Sequence, residues 1–109
     1  MIEISALKSP INNQLAITGS KSESNRLLLL NQLFDNVLTL ENVSNSEDSQ
    51  LMQKALANKT DLVDIHHAGT AMRFLTAFFA IQEGEELVLT GSSRMEERPI
   101  KILVDGLRQ

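Results

Sequence analysis

The chain has 109 residues, 42% of them hydrophobic, with 10 Lys and Arg against 14 Asp and Glu, four Phe, and no Cys, Trp or Tyr. This length suits one domain or a piece of a larger protein, and the absence of cysteine excludes a disulfide framework, a thiolate metal site and a cysteine nucleophile, in keeping with a reducing cytoplasm. The longest apolar runs, Leu27–Leu30 and Phe74–Ile81, are far shorter than the roughly 20 residues that span a bilayer, Met1–Leu7 is too short and acidic for a secretory signal, and the net charge of −4 argues against a nucleic-acid binder.

A cytoplasmic protein with no membrane and no nucleic-acid partner is therefore expected. Ile2–Ser5 reads as a short strand and Lys8–Pro10 as a loop, since Pro10 blocks a helix. Asn13–Thr18 is a second strand. Gly19 and Ser20 break it, and Ser22–Leu33 reads as a helix whose apolar side, Leu27–Leu30 and Leu33, should be well buried. Phe34–Asn36 turns the chain into an alternating strand at Val37–Val43. A helix follows over Glu47–Ala57, with Ser46 or Ser44 as its N-cap and acidic residues in its first turn. Asp61–Ile65 is strand-like, His66–Gly69 a loop, and Thr70–Ile81 a helix with Met72, Leu75, Phe78 and Phe79 at helical spacing. Glu86–Thr90 is the next strand. Pro99 opens a last helix with Ile100, Leu103, Val104 and Leu107 on one stripe, and no stop signal follows before Gln109, so the chain is expected to be cut within a domain. Strands alternating with helices predict an α/β or α+β layered domain.

Three strand-to-helix junctions share one chemistry: Gly19-Ser20-Lys21-Ser22 running on to Arg26, Ala68-Gly69-Thr70 running on to Arg73, and Gly91-Ser92-Ser93-Arg94 running on to Arg98-Pro99. A helix start carries about half a unit of positive charge and unpaired N–H groups, so cations there are unfavourable unless an anion joins them. Glycine would let the backbone approach that anion, hydroxyls would add donors, and Arg offers a planar fork for phosphate or carboxylate. Ser22 and Arg26, four apart, share a helix face. The bland alternative is a solvated cation, or one paired with Glu23, Glu96 or Glu97.

Neither a P-loop nor a dinucleotide fingerprint is present. His66 and His67 are adjacent and point apart with no Cys or further His to complete a metal site, so no metal is expected, and His67 reads as a loop imidazole near an anion. Glu96 and Glu97 read as capping residues at a helix start rather than an acid–base pair. Met52, Met72 and Met95 read as packing residues.

With these residues in hand, the chain resembles the N-terminal part of the 5-enolpyruvylshikimate-3-phosphate synthases. The likeness rests on GSKSESNRLLLL at 19–30, HAGTAMRFL at 67–75 and GSSRMEERPIKILVDGLRQ at 91–109, in that order. The related UDP-N-acetylglucosamine enolpyruvyl transferases share the fold but lack the Ser-Asn-Arg found here. The resemblance implies transfer of the enolpyruvyl group of phosphoenolpyruvate to the 5-hydroxyl of shikimate 3-phosphate, with release of phosphate and without metal or organic cofactor. It implies Lys21, Ser22 and Arg26 as shikimate 3-phosphate contacts. Lys21, as a catalytic residue, also touches phosphoenolpyruvate, with Gly69 and Arg94; Thr70, Arg73, His67 and Arg98 are further candidates beside them. Three departures stand out. His67 replaces the usual Asn, Phe74 the frequent Pro, and the stretch between Ala57 and Asp61 is short. The family enzymes are also several times longer, with two domains of repeated βαβαββ units, so residues 1–109 read as a partial N-terminal segment, inactive alone, whose residues 1–12 pair with the second domain. A non-catalytic anion-binding domain is the alternative.

Overall fold

The computed structural model describes residues 1–6, 9–58 and 60–109. Helix α1 spans Lys21–Leu33, one residue earlier than expected, because Ser20 caps it: its side chain accepts from the Glu23 N–H. Ser20 and Glu23 have the spacing of a capping box. The helix ends in a Schellman arrangement, with the Asn36 N–H on the Asn31 carbonyl (2.8 Å) and the Asp35 N–H on that of Gln32 (3.3 Å). Asp35 and Asn36 take the left-handed conformation there, φ 55° and 59°, which short polar side chains tolerate. This is the expected turn at Phe34–Asn36.

Helix α2 covers Glu47–Ala57, as expected, with Ser46 as N-cap accepting from the Ser49 N–H. Strand β1 (Leu62–Asp64), helix α3 (Gly69–Ala80) and strand β2 (Val88–Thr90) form a parallel β–α–β unit, in register Leu62 to Val88, Val63 to Leu89 and Asp64 to Thr90. Both strands are shorter than expected, although backbone bonds continue the pairing from Asp61–Val88 to His66–Ser92. The chain closes with a single helical turn, α4 (Ser93–Glu96), and with α5 (Lys101–Leu107). The architecture is α/β.

The core lies between α2, α3 and the sheet, where Met52, Ala55, Val63, Ile65, Ala68, Ala71 and Leu75 are buried together. Met52, Ile65 and Leu75 are fully enclosed. Burial of such side chains is worth about 1.5–3 kcal/mol each. Met95 is buried and Met72 packs against the core, in line with their reading as packing residues.

Several expectations need correction. Ile2–Ser5, Asn13–Thr18 and Val37–Val43 form no strand. A strand needs a neighbour for its N–H and C=O groups and a cover for its apolar face. Here the sheet is β1 and β2 alone among the described residues, and Ile2, Ile4, Leu15, Ile17 and Val37 stand in solvent. The Lys8–Pro10 loop begins outside the described residues, as does part of 1–12, and Lys59 in the short 57–61 stretch also lies outside them. The leucine side of α1 is not well buried: Leu27, Leu30 and Leu33 are 37%, 43% and 43% exposed. Its buried positions are instead polar: Asn25 Oδ1 accepts from the Ser49 hydroxyl of α2 at 2.8 Å, and the Ser24 hydroxyl oxygen accepts from the Ser44 N–H at 2.9 Å. The last helix starts at Lys101 rather than Pro99, its Leu107 is exposed, and α4 was not expected.

Candidate functional site

Because β1 and β2 are parallel, their carboxyl ends fall on one side of the sheet. Ligands of open α/β sheets bind outside those ends. Two of the three cation-bearing junctions leave from there: residues 65–69 after β1 and 91–94 after β2. The first turns sharply at His66, whose φ of 48° is left-handed and whose N–H donates to the Asp64 carboxylate at 2.8 Å. The two loops are joined by the Ser92 N–H on the His66 carbonyl (3.0 Å) and by a 2.7 Å hydrogen bond between the Ser92 hydroxyl and His67 Nδ1. Gly91 permits this contact, since a Cβ there would lie 2.7 Å from the His66 carbonyl oxygen.

Helix α3 starts without a side-chain cap and without an acidic residue in its first turn. Cations fill the space instead. A Cβ on Gly69 would clash with Arg98 Nη1, whereas Arg73 Nη1 at 3.6 Å would stay in ordinary contact, so the absent side chain is what admits the Arg98 guanidinium beside that of Arg73 at this helix start. Arg73 is held by its own helix and by the segment after α4, Nη1 donating to the Gly69 carbonyl (3.1 Å) and Nη2 to that of Pro99 (3.3 Å). Arg98 and Arg94 come from α4 and the residues after it, and with His67 and Met95 they line a pocket of about 100 Å³. Among the described residues no carboxylate forms an ion pair with Arg73, Arg94 or Arg98. Crowded guanidiniums at the positive end of a helix dipole are mutually repulsive, and an oxyanion would relieve them. Thr70 is exposed at the same helix start. Gly69 departs from expectation in one respect: its own N–H turns back onto the His67 carbonyl at 2.9 Å.

The junction before α1 differs. Lys21 is paired with Asp48 of α2 at 3.6 Å, a partner outside the expected Glu23, Glu96 and Glu97. Arg26 donates to the Ser22 carbonyl at 2.8 Å, as four-residue spacing allows, and its guanidinium carbon lies 5.7 Å from the centre of the Phe74 ring. Gly19 serves packing, not a ligand: its N–H donates to the Asn42 carbonyl at 2.9 Å, and a Cβ would lie 2.2 Å from that oxygen.

Glu96 lies in the first turn of α4, where the helix dipole favours an acid, but it is also the last residue of that four-residue turn, and Glu97 is its C-cap rather than a residue of a helix start. The rings of His66 and His67 are 5.9 Å apart and tilted by 55°, and among the described residues no group of three or more His, Cys, Asp or Glu gathers as for a metal. No helix of the described residues is long and apolar enough to cross a membrane. Two features went unforeseen. One is an open cavity of about 620 Å³ lined by Met72, Phe79, Leu87, Leu89, Ile100 and Val104 beside Arg73 and Arg98. The other is where Arg98, already a candidate, lands: against Gly69 at the start of α3, a meeting of two elements that no local pattern announces.

Comparison with known proteins gives a consistent result. The family EPSP synthase (3-phosphoshikimate 1-carboxyvinyltransferase) matches residues 53–109, just over half of the chain. A protein named 3-phosphoshikimate 1-carboxyvinyltransferase from Bacteroides fragilis (strain YCH46) is 44% identical over 101 residues, covering 93% of this chain and 24% of the relative. Proteins of the same name from Aliivibrio fischeri and from Buchnera aphidicola (subsp. Schizaphis graminum) are 39% identical over 126 residues and 36% over 127, each covering 29% of the relative. The chain thus spans about a quarter of the length of the curated relatives it matches. The Buchnera alignment is longer than the B. fragilis one at the same 93% share of this chain, so the former relative carries extra residues within the matched region. No solved structure matches the chain.

Proposed function

Since the chain belongs to the EPSP synthase family, we propose that it supplies one part of the active site of a 3-phosphoshikimate 1-carboxyvinyltransferase, a transferase of the shikimate pathway to chorismate and the aromatic amino acids. The reaction moves the enolpyruvyl group of phosphoenolpyruvate to the 5-hydroxyl of shikimate 3-phosphate. The carbon–oxygen bond to phosphate is exchanged for one to the hydroxyl oxygen, and inorganic phosphate leaves. Both substrates are anions, and the chain's contribution is to hold them. Gly69 and Arg94, with Arg98, Arg73, His67 and Thr70 around them, form the phosphoenolpyruvate end. Ser22 and Arg26 take shikimate 3-phosphate. Lys21 stands between the two substrates, lowering their repulsion and stabilising charge as phosphate departs.

One observation carries this reading: the guanidiniums of Arg73 and Arg98 are gathered at an uncapped helix start with Arg94 nearby and no carboxylate partner among the described residues. The same observation limits it, because guanidiniums bind and orient anions but do not exchange protons with a substrate carbon. The remaining groups belong to the remainder of a two-domain enzyme built from βαβαββ units, against which residues 1–12 pack, and the chain alone is inactive. The printed names of the relatives above favour the shikimate enzyme over the UDP-N-acetylglucosamine transferases. The test is phosphate release by the complete enzyme, which should require both substrates and fall at least about 100-fold in Lys21→Ala or Arg94→Ala. Full activity in either variant removes that residue from the site. Turnover by residues 1–109 alone contradicts the reading of the chain as a part.

A further inference from the structure

Two side chains outside the proposed anion contacts, Asn25 of α1 and Ser49 of α2, are fully buried, and they meet: the Ser49 hydroxyl donates to Asn25 Oδ1 at 2.8 Å. The Ser46 hydroxyl in turn donates to Ser49 Oγ at 3.1 Å, so the N-cap of α2 leaves the Ser49 proton directed at α1. Resting on the reading of the α1 start as the shikimate 3-phosphate end, we propose that Asn25 and Ser49 are positioning residues, a buried latch that sets the rotation of α1 and with it the places of Ser22 and Arg26.

Apolar packing leaves that rotation open. Leu27–Leu30 are consecutive, so at about 100° per residue they point all round the helix, and the buried residues of α1 are Ser24 and Asn25, not a leucine. A hydrogen bond is directional, and one buried polar pair can fix register where hydrophobic contacts do not. Helical spacing carries the setting outward. Lys21 lies four residues before Asn25 on the same face, where it meets Asp48, the neighbour of Ser49 in α2. Ser22 and Arg26 follow these two by one residue each, about 100° further round, and are exposed. The latch does not serve stability. Asn25 Nδ2 is buried with no hydrogen-bond partner among the described residues, and an unmade buried bond is costly. Removing both polar partners together is close to neutral for a fold, which separates the positioning role from a structural one.

The experiment is steady-state kinetics of the complete enzyme, followed by phosphate release. Asn25→Leu combined with Ser49→Ala should raise the KM for shikimate 3-phosphate about 10-fold while kcat falls less than about twofold, since saturating substrate selects the competent rotation. The melting temperature should stay within about two degrees of the parent. Ser49→Ala alone removes only an oxygen and should raise the same KM about threefold. A KM that neither variant moves overturns the latch, as does a fall in kcat without a change in KM. A double variant that fails to fold, or melts more than about five degrees lower, shows the pair to be structural and overturns it too. Arg26→Ala is the reference: if it leaves the KM for shikimate 3-phosphate unchanged, the reading of the α1 start itself falls, whereas a KM that depends on Arg26 and ignores both latch variants removes the latch alone.

Discussion

The helix starts of α1 and α3 both carry cations, but they differ in what stands opposite. At α1, Ser20 caps the helix and Asp48 neutralises Lys21 at 3.6 Å. At α3 there is neither cap nor acid, and Arg98 takes the space a side chain on Gly69 would fill, with Arg73 beside it. The first start is electrostatically settled within the chain. The second has no such partner among the described residues. The comparison teaches that a repeated sequence motif need not repeat its physics, because the partner that completes it comes from another element.

The comparison can be broken from either side. The largest effect should come from Arg94→Ala combined with Arg98→Ala, which removes two charge-assisted hydrogen-bonding forks and should weaken phosphate binding at the α3 start by about 100-fold, at about 1.5–3 kcal/mol each before coupling; a loss of less than threefold by titration would show the cluster to be inert. Gly69→Ala should come next. The added methyl displaces only the flexible end of Arg98, so phosphate affinity should fall by about 10-fold while the melting temperature changes by no more than a degree or two. Equal affinity in this variant would mean that the position of Arg98 does not matter.

Phe74→Leu keeps an apolar side chain against the core but removes the ring under Arg26. A cation–π contact at an exposed site is worth about 0.5–1 kcal/mol, so anion affinity at the α1 start should drop about two- to fivefold, with Phe74→Tyr restoring it. Asp48→Asn is expected to do least. It frees Lys21 from a partly exposed ion pair worth about 0.2–1 kcal/mol, which should raise anion affinity at α1 by about threefold or less and leave α3 untouched. A large loss of stability in Asp48→Asn would show that the pair is structural.

Much of this contrast was readable in advance, and the unread part has a common cause. Helix Glu47–Ala57 shows in its cap and first-turn acids and helix Thr70–Ile81 in its apolar spacing, all of them local, and the Phe34–Asn36 turn shows in residues that accept a left-handed backbone. The capping box at Ser20 and Glu23 was equally local and would have placed the start of α1 correctly. Alternation at Ile2–Ser5, Asn13–Thr18 and Val37–Val43 marks a face that wants cover without naming the strand beside it, and no such strand lies among the described residues. At the site, the cations were legible because they violate the helix-dipole preference. Their pairing was not: Lys21 with Asp48, Arg98 with Gly69 and Ser92 with His67 all join residues from different elements. The single turn α4 is too short to show any period at all.

Site-resolved titration of the 109-residue chain with inorganic phosphate, read through backbone amide signals, tests the central claim most directly. The signals of residues 67–71, 92–94 and 98 should move together and approach saturation at concentrations where those of Lys21, Ser22 and Arg26 have barely shifted, and added salt should weaken the response. Signals at α1 that move first, or a uniform drift at both helix starts, would contradict an anion site built at the carboxyl ends of β1 and β2.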